Sequence, residues 1–185
     1  MKLLACPKCH QQLHLENKTL KCENNHCYDI SKRGYINLLL NPDKATNNPG
    51  DSKESLVARK AYLNKGYYDP ILNQVITCID EFKHQDDLSI LDLGCGEGYY
   101  TQGLKKHFEN SDIYGLDISK IAIDMATRYR KDITWLVGNS KNIPILDHSL
   151  DFICALFTVV NQDELKRALK VDGYIVHVTA NNQHL

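Results

Sequence analysis

The chain has 185 residues, enough for one substantial core and a small appended unit. Its 43% hydrophobic and 24% charged content is that of an ordinary globular protein, and no apolar run is long enough to span a bilayer, so no membrane partner is expected. The formal charge of −1 excludes attachment to nucleic acid by bulk charge; any basic surface has to be local.

The opening MKLLAC lacks the apolar stretch that a signal peptide carries before its cysteine, and Pro7 and Lys8 follow at once. The expected location is therefore cytoplasmic, and seven cysteines there point to metal or buried thiols rather than disulfides. Residues 1–36 are polar and hold four of those cysteines, which predicts a zinc ribbon. Cys6-Pro7-Lys8-Cys9 is a C-x-x-C knuckle, and Cys22, His26 and Cys27 follow across a short hairpin. Two ligands from each of two tight turns is structural-zinc spacing, and a closed site supplies folding energy to a segment too small for its own core. The competing redox C-x-x-C lacks a surrounding βαβ pattern. For the fourth ligand, His26 and Cys27 both have workable spacing.

Residues 37–85 read as a helical linker region. Asn37 to Leu40 is apolar, and Asn47, Asn48, Pro49 and Gly50 mark a loop. Asp51 or Ser52 caps a helix with apolar positions Leu56, Ala58 and Leu63. A break at 66–70 precedes a second helix, roughly Ile71 to Phe82, with Leu72, Val75, Ile76 and Ile79 on one face.

Residues 86–185 alternate strands and helices. The strands are expected at Ile90–Leu93, Asp112–Leu116, Ile133–Val137, Asp151–Phe157 and Gly173–Thr179. The helices are expected at Tyr99–Phe108, Ser119–Tyr129 and Asp163–Leu169. This alternation predicts an α/β fold with a Rossmann-like, doubly wound parallel sheet. The stretch Ser89 to Thr101, SILDLGCGEGYYT, carries its chemistry. A short buried strand runs into Gly94, Gly96 and Gly98 and then a helix, a cradle that lets a ligand touch backbone. The dinucleotide pattern G-x-G-x-x-G fails, because Tyr99 or Thr101 stands where its last glycine belongs. The spacing of Asp92, Gly94, Gly96 and Gly98 instead resembles the S-adenosylmethionine loop of class I methyltransferases. Asp117 ends the next strand about 20 residues on, where an acid accepts ribose hydroxyls. Asn139 opens the loop after the third strand and is counted with these cofactor residues.

The segments CPKC…CENNHCYD, KRGYINLL, PGDSKESLVARKAYLNKGYY, ILDLGCGEGYYT and GLDISKIAI together resemble the 23S rRNA (guanine-N1)-methyltransferases along nearly the whole chain. The resemblance implies zinc held by Cys6, Cys9, Cys22 and His26, which demotes Cys27, and cofactor contacts at Tyr68, Gly96, Glu97 and His184, with Asp117 as the ribose acid. It implies S-adenosylmethionine and Zn2+ as cofactors and a 23S rRNA hairpin as substrate. Two departures accompany it. Members of that family commonly carry a proline after the fourth strand, where this chain has Phe157, Thr158, Val159 and Val160. The family also continues past the fifth strand, so the last two strands of the sheet are expected to be missing, leaving an open edge that invites self-association, a homodimer at its simplest. Lys32-Arg33, Lys53 and Arg59-Lys60 are candidate phosphate contacts. No residue stands out as a base: Asp163 and Glu164 read as a helix first turn. A small-molecule methyltransferase and a non-catalytic binding module are the rival classes.

Overall fold

The computed structural model describes residues 1–40, 51–128 and 130–180. Three short antiparallel strands come first, β1 (His14–Glu16), β2 (Thr19–Lys21) and β3 (Cys27–Asp29), with β2 in the middle. The remainder is built on a six-stranded sheet. Its order is β4 (Ile36–Asn37), β7 (Thr134–Val137), β6 (Asp112–Asp117), β5 (Ser89–Leu93), β8 (Leu150–Leu156), β9 (Leu169–Val178), and every neighbouring pair is parallel. The five expected strands are present. The last begins at Leu169 rather than Gly173, because Leu169 pairs with Leu150 before the register shifts ahead of Phe152 and Tyr174. The apolar tail of the first segment also joins the sheet: Ile36 and Asn37 pair with Leu136 and Val137.

Among the described residues, five helices accompany these strands. Helix α1 (Lys53–Leu63) is capped by the Ser52 hydroxyl, which accepts from the Ser55 N–H. Helix α2 (Asp69–Phe82) starts two residues earlier than expected, since Pro70 has no N–H to lose in a first turn. Helix α3 spans Tyr99–His107, α4 spans Lys120–Ala126 under the Ser119 cap, and α5 spans Gln162–Ala168 under the Asn161 cap. Of the three apolar positions expected to face inward on α1, Leu56 and Leu63 are buried and Ala58 is exposed.

The two faces of the sheet are covered differently. On one, Val75 and Ile79 of α2, Leu104 of α3, and Ile123 and Ala126 of α4 pack over Ile90, Ile113, Trp135 and Phe152. On the other, α5 supplies only Leu165 and Ala168, and the ribbon supplies Leu4, Leu13, Leu20 and the thiols Cys6 and Cys22, against Leu91, Leu93, Leu116 and Ile153. A parallel sheet needs cover on both faces, yet the 138–149 connection from β7 to β8 contains no helix. The ribbon fills that place. Leu4 bridges Ile145, the Ala5 N–H donates to the Pro144 carbonyl at 3.0 Å, and the Leu146 N–H donates to the Leu3 carbonyl at 2.9 Å. Arg167 and Glu164 of α5 pin the same connection: Arg167 donates to the carbonyls of Ile143 and Ile145, and Glu164 accepts from the Ile143 N–H.

The chain leaves β5 toward β6 and leaves its other neighbour, β8, toward β9, in opposite directions, so a crevice opens at the carboxyl ends of these two strands. Trp135, 2% exposed, fills the space beneath that crevice. A Cβ on Gly115 would lie 2.6 Å from the Trp135 ring and 3.2 Å from Cys95 Sγ. Overpacking a filled core costs roughly 1–3 kcal/mol, so Gly115→Ala is expected to lower the free energy of unfolding by that amount in urea titration.

Candidate functional site

The ribbon brings four donors together. The ligand atoms of Cys6, Cys9, Cys22 and His26 all lie within 4.8 Å of one another. His26 Nδ1 is 3.4 Å from Cys6 Sγ, 3.5 Å from Cys9 Sγ and 3.5 Å from Cys22 Sγ, and the Cys9 and Cys22 sulfurs are 3.7 Å apart. A tetrahedron with metal–sulfur bonds of about 2.3 Å and a metal–nitrogen bond of about 2.0–2.1 Å has edges of about these lengths. The set has the geometry of a closed zinc site, in which Nδ1 would be the imidazole donor. Cys27 is exposed, and its thiol donates to the Asn25 carbonyl instead. Around the donors, the Tyr28 hydroxyl lies 3.2 Å from Cys6 Sγ. The Cys9 thiol is pulled down to about 6, chiefly by the Gln11 backbone N–H, which readies it as a thiolate ligand.

The crevice above β5 holds a cavity of about 630 Å³. Its floor is the glycine loop, with Gly94 at φ 76°, Gly96 at φ 55° and Gly98 at φ 84°. The three glycines are needed for different reasons. Beyond the strain common to them, a Cβ on Gly94 would strike Thr158 at 2.5 Å, and one on Gly98 would strike Trp135 at 2.5 Å. A Cβ on Gly96 would meet only Arg59 Nη1, at 3.7 Å, because that side of the residue faces open cavity. Asp117 ties the loop down. Its Oδ2 accepts from the Gly96 N–H at 2.9 Å, and its Oδ1 accepts from the Ser119 N–H at 2.7 Å. Burial pushes the Asp117 carboxyl up, and those two N–H groups draw it back.

One wall is α1. Leu56, Arg59, Tyr62 and Leu63 form a single stripe facing the cavity, and Arg59 pairs with Asp51. Tyr68 and Phe157, whose rings lie 6.3 Å apart, line the cavity together, with Leu156 at the end of β8 and Thr158 beside them. Phe157 is held at φ 56°, with its N–H donating to the Val178 carbonyl at 2.9 Å. That conformation costs a residue with a side chain roughly 1–2 kcal/mol. Glu97 is 3% exposed, and its Oε1 has no hydrogen-bond partner; the Tyr100 hydroxyl beside the cavity is likewise unpartnered. Burial pushes the Glu97 carboxyl up, partly offset by the charges of Arg59 and Lys60. Buried unpaired acceptors are costly unless something fills them.

Of the residues singled out in the sequence, Tyr68, Gly94, Gly96, Glu97 and Asp117 line this cavity. Asp92 lies beneath it, 1% exposed, accepting from the Thr101 hydroxyl at 2.6 Å and so joining β5 to α3. Gly98 packs on Trp135, and Asn139 forms its own turn with Lys141 and Asn142. His184 lies outside the described residues. The sequence reading did not find the cavity walls contributed by Asp51 and Tyr62, for which the tyrosines at 62 and 67, close to Tyr68, were the available sign; Phe157 and Thr158, singled out through the family resemblance, do line the cavity. Glu164, set aside as a helix first turn, is committed to Arg167 at 2.9 Å and to the Ile143 N–H.

Comparison with known proteins agrees with this geometry. Residues 90–172 match a methyltransferase domain family, and residues 4–45 match the RlmA N-terminal zinc ribbon family. The chain is 29% identical, over all of its length, to a 23S rRNA (guanine(748)-N(1))-methyltransferase of Streptomyces fradiae. It is 30% identical, over 99% of its length, to a putative 23S rRNA (guanine-N(1)-)-methyltransferase of Bacillus subtilis. It spans 66% of each of these relatives, about two thirds of their length. Among solved structures, a putative S-adenosylmethionine-dependent methyltransferase of Methanococcus maripaludis superposes with TM-score 0.56 at 24% identity, over 69% of this chain and 67% of that one, which supports the fold.

Two expectations follow. Purified without chelator, the chain should carry about one zinc; Cys22→Ser should lose it and also melt the main sheet at lower temperature, because Cys22 packs in the shared core, while Cys27→Ser should keep full zinc content by atomic absorption. The second concerns Asp92, whose carboxyl burial raises to about 7, against about 3.9 in an unfolded chain. Between those values the folded state holds a proton that the unfolded state releases, so the stability from this group is full below about pH 4 and is lost as pH rises through about 7. From pH 5 to 8 the wild type should lose stability, on the order of a few kcal/mol. Asp92→Asn, which still accepts from Thr101, should show a flatter profile by thermal melting.

Proposed function

The chain belongs to the family of zinc-ribbon 23S rRNA (guanine-N1)-methyltransferases, and on that premise we propose that it methylates N1 of a guanine in 23S ribosomal RNA. One observation carries this reading: the same sheet bears the glycine-loop cavity at its carboxyl edge and the metal ribbon on its face, a pairing that a small-molecule methyltransferase has no use for.

The residues present fit S-adenosylmethionine. Gly96 leaves open the space a Cβ would fill, so a ligand can lie against the loop backbone. Asp117 would take the ribose hydroxyls on lone pairs left free by Gly96 and Ser119. Glu97, with one buried oxygen unpartnered, would take a donor from the ligand. Tyr68 would pack against the ligand from the cavity wall. When bound, S-adenosylmethionine supplies a methyl group already activated by a sulfonium. The protein's task is alignment: the walls of α1 and of residues 156–158 hold the acceptor in line and exclude water. Glu164 does not line the cavity, and its carboxylate is held by Arg167 and the Ile143 N–H. A cytoplasmic site of action follows from a ribosomal substrate.

The test is transfer of radiolabelled methyl to 23S rRNA, with small amines and phenols as controls. Label on rRNA, with a primer-extension stop at one guanine, is expected; label on the small molecules alone would overturn the substrate. Asp117→Ala should weaken S-adenosylmethionine binding by roughly 1–3 kcal/mol in calorimetry, and unchanged affinity would overturn the cofactor placement.

A further inference from the structure

We propose that Tyr28 is a positioning residue of the zinc site: its hydroxyl donates a hydrogen bond to the Cys6 thiolate, takes up part of the site's buried charge, and so holds that sulfur on the metal.

The need for such a donor comes from the ligand set. Three thiolates and a neutral imidazole around Zn2+ leave a negative charge in excess. That excess sits where water does not reach: Cys6 is 0% exposed and Cys22 3%, and both belong to the apolar cluster beneath the central strands. A charge taken out of water is costly unless hydrogen bonds take it up. Cys9, only partly buried, is served by the Gln11 backbone N–H and the Asn24 side chain. Cys6 lies deeper. It takes the backbone N–H groups of Lys8 and Cys9, and the Tyr28 hydroxyl oxygen lies 3.2 Å from its sulfur. A thiolate has no proton to give, so with metal bound the tyrosine is the donor.

The alternation of β3 brings this residue, and not its neighbours, to the metal. Cys27 and Asp29 are both exposed, and Tyr28 between them turns inward. It stands opposite Leu20 of the middle strand β2, and its ring packs on the cluster that holds Leu4, Leu13 and Cys6. The ring is fixed by strand pairing and by the core, which aims its hydroxyl at one sulfur. The same two-residue period thus carries Cys27 away from the metal and delivers Tyr28 to it.

A hydrogen bond to a ligating sulfur draws charge off it and fixes its direction. The sulfur then competes less well for the protons and electrophiles that would displace the metal, and partners of this kind change metal affinity by about 10- to 100-fold. Tyr28 does not line the cavity, so it acts on the metal through Cys6 and not on the methyl-transfer chemistry. Because Cys6 packs in the core shared with the sheet, the hydroxyl also helps to keep the ribbon seated there.

The experiment compares the full chain with Tyr28→Phe, which keeps the packed ring and removes the hydroxyl. At saturating zinc the two should give the same far-UV circular dichroism. Competition with a chelator of known zinc affinity should find the variant holding zinc about tenfold less tightly. In the Co2+-substituted proteins, the sulfur-to-metal charge-transfer band of the variant should move to longer wavelength, because a thiolate without its hydrogen bond gives up an electron more readily. A residue that merely packs would not move that band. Cys27→Ser, on the outer face of the same strand, should leave both readings in place. Zinc affinity within about twofold of wild type in Tyr28→Phe overturns the proposal. A charge-transfer band that stays in place overturns it whatever the affinity, and so does an equal shift in Cys27→Ser.

Discussion

The Asp117 carboxylate is the joint on which the site hangs. One oxygen holds the Gly96 N–H of the loop after β5, and the other holds the Ser119 N–H at the start of α4. Two pieces of chain, 21 residues apart at the Gly96–Asp117 bond, thereby meet at one half-buried charge. A side chain at 96 would strain the loop at its positive φ and project into the cavity space left for a ligand. A buried carboxylate is costly on its own. Here its cost is offset by two backbone donors that would otherwise be unpaired, so floor and anchor stabilise each other.

The ribbon is a structural layer as well as a metal site. Where the chain omits a helix between β7 and β8, the ribbon covers the sheet and pairs with the connecting segment. Its cysteines Cys6 and Cys22 sit in the same apolar cluster as the central strands. Metal binding therefore feeds directly into the stability of the sheet. Arg167 and Glu164 extend the tie, linking that connection to α5 just beyond the segment that closes the cavity. The two ends of the chain's chemistry, metal and cavity, are thus supported by one continuous body of side chains.

Three acids surround the glycine loop at different depths, and their surroundings separate their roles. Asp92 is sealed beneath it and serves as a strut to Thr101. Asp117 clamps backbone and keeps lone pairs toward the cavity. Glu97 is buried with an oxygen left unpartnered. All three carboxyls are raised first by burial. Positive charge comes from outside, where α1, exposed over most of its surface, brings Arg59 to the cavity wall.

Sequence alone determined the parts whose physics is local. The C-x-x-C knuckle and the Cys22–His26 spacing announced the metal site, because ligands from tight turns need fixed intervals. The run from Ser89 to Thr101 announced strand, loop and helix, because left-handed turns need glycine and a buried parallel strand needs an unbroken apolar run. The alternation of patterns announced the parallel sheet. Sequence spacing left His26 and Cys27 as equal candidates; the family resemblance demoted Cys27, and the fold turns it outward to Asn25. Only the fold showed that Gly94 and Gly98 make room for Thr158 and Trp135 while Gly96 makes room for a ligand. Asp92 interrupts an apolar run in the sequence and Asp117 ends one; tertiary packing put the first under the floor and the second at its rim. The cavity wall from α1 was illegible for the same reason. A wall is a relation between segments about a hundred residues apart, and no local pattern encodes it.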